Sequence, residues 1–456
     1  MMLIDCVDKG MQNDKIVLEN PHKGWYHHFV DQGFLCAKYR DEFSKDNTKI
    51  DIPGINHLYI RFDWSDIEKE NGIFDWSPID EIMDRYNTYQ FGFRVCAYET
   101  REQTAFPSYL LNLGMKYKVC GAYIEPDFGD EIFLKYFDRF MCEFGKKING
   151  DPRVEYIDIG SFGTWGEGHT WFGSESRFDI PVIIKHIDMH LKHFPDTPIT
   201  INDDMIRHVG FGEDMNWENR DVSRIQQVLD YCADRGIGIR DDSICVDVHC
   251  DEFGFSTLCS PYLFEKLYPV APVNIEMGHY RHCRDYSGFD AGYRLYEALR
   301  ESHATYAGFH GHTNEWYAEH KQLHDHCANK LGYWYFIDGI KLPDLISRAK
   351  AVTELKVTNK GFCHSYHRFE LKIQLEGSNG TFDILEESPD NRKWQAESSI
   401  REKVVLNLKD VPVGHYILKL GMFEKDTPIK LGFDPAYNAN DGYYNICNVD
   451  VKGLTI

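Results

Sequence analysis

The chain has 456 residues, of which 43% are hydrophobic and 14% aromatic, and it carries a net charge of −22. That length suggests two or three domains with room for a large core, so neither a disulfide nor a metal is needed on grounds of size. The acidic balance repels phosphate backbones and anionic lipid, which argues against nucleic-acid and membrane-surface partners, and no run approaches the roughly 18 apolar residues of a membrane-spanning helix.

To about residue 335 one rhythm repeats: an apolar strand, a polar loop, an amphipathic helix. Eight strands are predicted in order: "GWYHHFV" (24–30), "HLYIRFDW" (57–64), "FGFRVCAYE" (91–99), "VEYIDIGSF" (154–162), "PITINDD" (198–204), "GIGIRDD" (236–242), "APVNIEMGHY" (271–280) and "ATYAGFHGH" (304–312). Between them the spacing predicts helices over 77–90, 130–148, 179–194, 221–235, 291–303 and 316–331. The first opens on Ser77 and Pro78, a cap followed by proline in the first turn. In the second, Phe133, Phe137, Phe140, Met141 and Phe144 form one apolar face. Alternating strands and helices imply parallel strands with crossover helices. Eight units match a (β/α)8 TIM barrel, and no GxGxxG turn follows the first strand to favour a dinucleotide fold.

Beyond about residue 340 the pattern changes to period two, in "LKVTNKG", "HRFELKIQLEG", "KVVLNLKDVPVGHYILKLGMFE" and "YYNICNVDVKGL". This predicts a small all-β antiparallel sandwich, with residues 1–340 forming the barrel and 341–456 the second domain. The 13 cysteines follow no framework and form no CxxC pair, and Cys96 and Cys142 lie in apolar contexts. They read as reduced, buried thiols. The N-terminal stretch shows no basic segment followed by an apolar one, so a cytoplasmic protein is expected.

A barrel places its active site at the carboxyl ends of its strands. Arg61 and Asp63 stand at the end of strand two, Glu99 and Arg101 after strand three, and Trp165, Glu167 and His169 after strand four. Strand five supplies Asn202, Asp203 and Asp204, strand six Arg240, Asp241 and Asp242, strand seven Glu276, His279 and Tyr280, and strand eight His310, His312 and Trp316. Glycoside hydrolysis needs two carboxyl groups across the scissile bond. Glu167 and Glu276, on strands four and seven, lie on opposite sides of the mouth, with Glu252, Asp241 and Asp242 as competitors for the second role. Apolar neighbours such as Trp165 are expected to raise the pKa of Glu167, and Arg61 to keep Glu276 ionised. Trp25, Trp171, Tyr280 and Trp316 are candidate platforms for sugar rings.

"YIRFDWSDIEKENGIFDWSPIDEIM" (59–83) and "FPSYL" (106–110) resemble the second and third units of clan A glycoside hydrolases, especially the β-galactosidase-type families. That resemblance implies a retaining enzyme on β-linked sugars, with Glu167 as acid/base and Glu276 as nucleophile. The clan's asparagine before the acid/base is here Gly166. "LENPHKGWY" (18–26), "IGSFGTWGEGH" (159–169) and "IGIRDDS" (237–243), with Asn359, Gly361, Trp394, Gly414, Tyr416 and Leu418, resemble a bacterial family of glycosidase-like proteins long recorded as domains of unknown function. In that family a barrel precedes a β-sandwich.

The expected partner is therefore a carbohydrate, held by Arg61, Asp63, Glu99, Trp165, His169, Asn202, Asp204, Arg240, Asp241, Tyr280, His310 and Trp316; a homo-oligomer is left open. No cofactor or metal is expected. Two alternatives stand beside this reading. His310 and His312 in "FHGHTNEW", and the mixed "DVHCDEF" (247–253), suggest a metal-dependent hydrolase, although a hydrolytic zinc site takes three or more ligands. The other is a catalytically silent glycan-binding protein.

Overall fold

The computed structural model describes residues 2–29, 52–245, 261–439 and 441–453. The "DVHCDEF" stretch, with Glu252, lies outside the described residues. The chain divides into two compact units, Trp25–His320, and Met1–Gly24 with Lys321–Ile456.

Eight parallel strands close into a barrel in chain order: β1 Gly24–Phe29, β2 Ile55–Asp63, β3 Gln90–Cys96, β4 Val154–Asp158, β5 Ile199–Asn202, β6 Gly238–Ile244, β7 Val273–Met277 and β8 Tyr306–Phe309. Every predicted strand contributes one. The predicted helices also form, at Ser77–Arg85, Glu131–Ile148, Ile180–His193, Val222–Ala233, Tyr293–Glu301 and Thr313–Lys330. Asp130 starts the second by accepting from the backbone N–H groups of Ile132 and Phe133. Its row of Phe133, Phe137, Phe140 and Phe144 is fully buried and packs around Trp64 and Trp76. The last is broken at His320, where φ −129° and ψ 36° leave helical geometry.

Because side chains alternate across a strand, every second residue faces the barrel axis. Here the lower interior is filled by Tyr26, Tyr59, Tyr156 and Tyr306, all buried. Such large rings need small neighbours. A Cβ on Gly92 would lie 2.5 Å from Tyr156, and one on Gly308 would lie 2.3 Å from Tyr26. The phenol hydroxyls find partners inside: Tyr306 donates to Glu155 (2.8 Å), Tyr59 to Asp158 (2.5 Å) and Tyr26 to the Ile275 carbonyl (3.2 Å). The barrel floor is thus aromatic and hydrogen-bonded, and it supports the charged layer above.

In the second unit, Met2–Asp5, Tyr335–Leu342, Lys350–Asn359 and Ser398–Asn407 form one antiparallel sheet. Glu370–Gly377, Gly380–Asp383, Gly414–Glu424, Thr427–Ile429 and Tyr444–Lys452 form a second, antiparallel except where Leu345–Ile346 joins it in parallel. One hydrophobic cluster, with Leu355 and Val357 from the first sheet and Ile373, Leu418 and Leu420 from the second, joins them. The N-terminal strand, read from the sequence as part of the barrel domain, pairs here instead. Its hydrogen-bonding partner is Tyr335–Leu342, a contact far apart in sequence that local pattern does not encode. The motif residue Asn359 ties this unit together, accepting from the N–H groups of Trp334 and Gly361 and donating to the carbonyls of Cys363 and Trp394.

Ten cysteines are free among the described residues. Burial pushes the Cys232 and Cys327 thiols up to about 12, so both stay protonated. Among the described residues no helix is long and apolar enough to cross a membrane.

Candidate active site

Arg240 is the centre of the barrel mouth. It rises from β6, is fully buried, and its three nitrogens face different strands. Nε meets Asp158 of β4 at 2.8 Å, Nη1 meets Glu276 of β7 at 3.0 Å, and Nη2 meets Asp242 at 3.1 Å and Glu167 at 4.0 Å. A second buried guanidinium, Arg94 of β3, lies 3.5 Å from Glu167 and 3.9 Å from Asp158. Both predicted carboxylates therefore reach one site.

Glu276 is held by donors. Its Oε1 lies 2.8 Å from His310 Nδ1 and its Oε2 lies 3.5 Å from His28 Nε2. Burial alone would raise its pKa, but these partners and Arg240 outweigh burial and hold it well below the usual carboxylate range. His28 is itself pushed down to about 4 by burial, so near neutral pH Arg240 and His310 carry this stabilisation.

Glu167 behaves differently from the expectation. Burial pushes it up, yet the hydrogen bond from His169 and the charges of Arg94 and Arg240 bring it down to about 2. His169 Nε2 lies 3.4 Å from Oε2. Its Nδ1 accepts from the Trp171 N–H at 3.3 Å, so Nε2 carries the proton that faces the carboxylate. The desolvation expected of neighbours such as Trp165 is outweighed, and the net shift is downward. Trp165 packs on Phe172 at 4.9 Å and donates through Nε1 to Thr100, so it forms a half-buried wall beside the carboxylate.

The turn that carries Glu167 explains Gly166. Its φ is +74°, and a Cβ there would lie 2.6 Å from the Gly160 carbonyl oxygen. An asparagine side chain has no room. Gly168 is tighter still, at 2.3 Å from the Met205 backbone nitrogen.

Several sequence candidates stand elsewhere than expected. Arg61 pairs with Glu99, and Asp63 pairs with Arg101; Glu276 receives Arg240 in the role expected of Arg61. Asn202 lies in the mouth, accepting from the Asp204 N–H and donating to Asp242 Oδ2 at 3.0 Å. Asp204 pairs with Arg207. Asp241 points away from the axis, since its neighbours 240 and 242 point inward. Burial and then Asp203 raise its pKa well above the ordinary value. Tyr280 and Trp316 are wholly buried and pack on each other and on Phe309. Trp25 is buried against Trp316. These three build the wall of the barrel and offer no face to a sugar. Trp171 is half-buried against His208 and Phe211.

The sequence reading missed Arg94, Asp158 and His28. The signal was present: each is a charged or titratable residue on the inward row of an apolar strand.

His28, Glu276 and His310 present donor atoms within 4.8 Å of one another, the spacing of a metal site. The orientation is poor for one. The two imidazoles stack at 4.5 Å with planes 19° apart, so their in-plane lone pairs run side by side and do not converge on an ion. Arg240 also holds the carboxylate, and its charge opposes a cation there.

No family model matches the chain, and no curated protein matches it. The bacterial family read from "GTWGEGH" therefore stays a resemblance. Solved structures with a similar fold include a GH5_18 variant from Streptomyces cattleya in complex with Manβ1-4GlcNAc, at 9% identity and TM-score 0.42, covering 63% of this chain and 70% of that one. Another is GH5_18 from Bifidobacterium longum subsp. longum, at 11% identity and TM-score 0.41, covering 63% and 69%. A third is native xylanase10C from Cellvibrio japonicus, at 10% identity and TM-score 0.39, covering 68% and 66%. Likeness at this level carries no argument about chemistry.

Proposed function

We propose that the protein is a retaining glycoside hydrolase acting on a β-linked oligosaccharide or glycan, β-galactosidase-like or related, with Glu276 as nucleophile and Glu167 as acid/base. One observation carries the reading. Two carboxylates from β7 and from the turn after β4 flank a single buried guanidinium at the carboxyl end of the barrel.

In this reading Glu276, kept ionised by Arg240 and His310, attacks the anomeric carbon as the bond to the leaving oxygen breaks. Arg240 keeps the carboxylate oriented and lowers the cost of burying its charge. Glu167 protonates the leaving oxygen, then takes a proton from the water that releases the sugar. Trp165 and Phe172 offer the aromatic surface beside Glu167. A carboxyl separation of about 5–5.5 Å in the sugar complex belongs to this mechanism, and a wider one to inversion.

The test is a panel of activated aryl β-glycosides. Glu276→Gly is expected to abolish turnover, with partial recovery in azide. Full activity in that variant overturns the nucleophile assignment. A metal-dependent hydrolase is the second reading, favoured by the His28–Glu276–His310 spacing. Elemental analysis of purified protein separates the two, since stoichiometric zinc or manganese supports the metal reading.

A further inference from the structure

The reaction above needs a proton for the leaving oxygen, and the free site does not keep it on Glu167. Four buried carboxyls, Asp158, Glu167, Asp242 and Glu276, face two guanidiniums, Arg94 and Arg240. A low-dielectric cluster with that excess of negative charge takes up a proton.

Their donors differ. Asp158 accepts from Tyr59 and from Thr200 at 2.9 Å, and it forms an ion pair with Arg240. Glu276 has Arg240 and His310, and Glu167 has Arg94 and His169. Asp242 has Arg240 Nη2 at 3.1 Å and Asn202 Nδ2 at 3.0 Å, and both donate to the same oxygen, Oδ2. Among the described residues nothing donates to Oδ1. With Arg240 and Asn202 both on Oδ2, that oxygen serves as the carbonyl of a neutral acid, and Oδ1, on the partly exposed side chain, is the one free to carry a hydroxyl.

We propose that Asp242 stores the catalytic proton of the free site on Oδ1 and passes it to Glu167 when a glycan enters. Burial and then the charges of Glu167, Glu276 and Asp204 favour the neutral form of Asp242, against Arg240. Its side chain is 10% exposed, as is that of Glu167, whereas Glu276 is 3% exposed. The two groups that exchange the proton are thus the two that open to the mouth, and both face Arg240 Nη2. A sugar hydroxyl donating to Asp242 supplies the stabilisation its carboxylate lacks. The O–H bond of Asp242 then breaks and one forms on Glu167. Glu167 gives that proton to the leaving oxygen as Glu276 forms its bond to carbon. In the second step the proton of the attacking water goes to Glu167, and product departure returns it to Asp242. No oxidant or cofactor enters the balance. Asp242 acts through Glu167, as a positioning residue for the proton.

This inference rests on the glycosidase reading, but its test has an arm that does not. Asparagine resembles the neutral acid and keeps an acceptor for both donors. Asp242→Asn should therefore leave the unfolding temperature at neutral pH unchanged, and its infrared spectrum should lack the carbonyl intensity of one protonated carboxyl present in the wild type. An identical band, or a fall in unfolding temperature like that of Glu276→Gln, overturns the proposal. In the kinetic arm the variant should lose about 100-fold in kcat/KM on alkyl glycosides, the scale of general acid catalysis, and far less on dinitrophenyl glycosides, which leave unprotonated. Equal losses on both, or no loss on either, also overturn it. If the wild type cleaves no glycoside, the glycosidase reading fails, and the infrared arm still decides where the proton sits.

Discussion

Replacing Arg240 by methionine tests the electrostatic account of the mouth without knowledge of the substrate. The guanidinium contacts Asp158 at 2.8 Å and Glu276 at 3.0 Å, and both carboxylates are buried. Removing one partner of a buried pair typically costs about 3–5 kcal/mol. The bared carboxylates can limit the loss by protonating, at about 1.4 kcal/mol per pH unit between an ordinary carboxyl pKa and neutrality. Two such groups, each with other donors left, give an expected loss of about 4–7 kcal/mol at neutral pH. That is a large part of the roughly 5–15 kcal/mol that holds a folded domain. The pH dependence has a definite sign. In the wild type the depressed pKa of Glu276 contributes stability above the unfolded-state value, and this is lost as pH falls through the lower folded value. In the variant the folded value rises above the unfolded one, so the penalty is present at neutral pH and fades toward about pH 4. Urea unfolding of both proteins from neutral to acid pH reads the gap. A difference under about 1 kcal/mol at neutral pH, or one that stays constant on acidification, would refute the reasoning.

Other expectations follow from single contacts. Trp316→Ala should cost about 3–5 kcal/mol by opening a cavity in the barrel wall, with KM unchanged, while Trp165→Ala should raise KM; the opposite split would return Trp316 to the mouth. Gly166→Asn forces a side chain against the Gly160 carbonyl at φ +74° and should lower stability by at least about 1–3 kcal/mol; a wild-type melting temperature would show that the turn can relax. Lys23 is buried, donates to the Asn329 carbonyl at 2.7 Å, and has its pKa pushed down to about 7. Its folded value lies below the unfolded one, so stability should rise with pH between them. Lys23→Met should therefore gain about 1–3 kcal/mol near pH 6, offset in part by the orphaned carbonyl, and the gain should shrink near pH 10.

How much of the site was legible is seen best on β6. "GIGIRDD" shows a charged strand end, and from the sequence Arg240 and Asp241 stand out as readily as Asp242. A strand alternates faces residue by residue, so a one-residue difference in register separates the mouth from the outer packing. Arg240 and Asp242 enter the charged cluster, and Asp241 turns toward Asp203. The same rule hid Arg94 in "FGFRVC" and Asp158 in "VEYIDIG". Each reads locally as one polar residue in an apolar run. Tyr280 and Trp316 fail for another reason: an aromatic ring after a strand suits a sugar or a core equally well, and only packing distinguishes them.

The amino-acid sequence by itself determined the eight strands, their crossover helices and the placing of Glu167 and Glu276 at two of the strand ends. Those depend on periodicity and caps, which act over a few residues. Protonation was decided by the tertiary structure. Whether a carboxyl is an acid or an anion depends on the guanidiniums and dipoles within a few ångströms, and here these come from strands far apart in the sequence. Folding brings Arg94 and Arg240 to Glu167 and pulls its pKa down, while burial and the neighbouring carboxylates push that of Asp242 up.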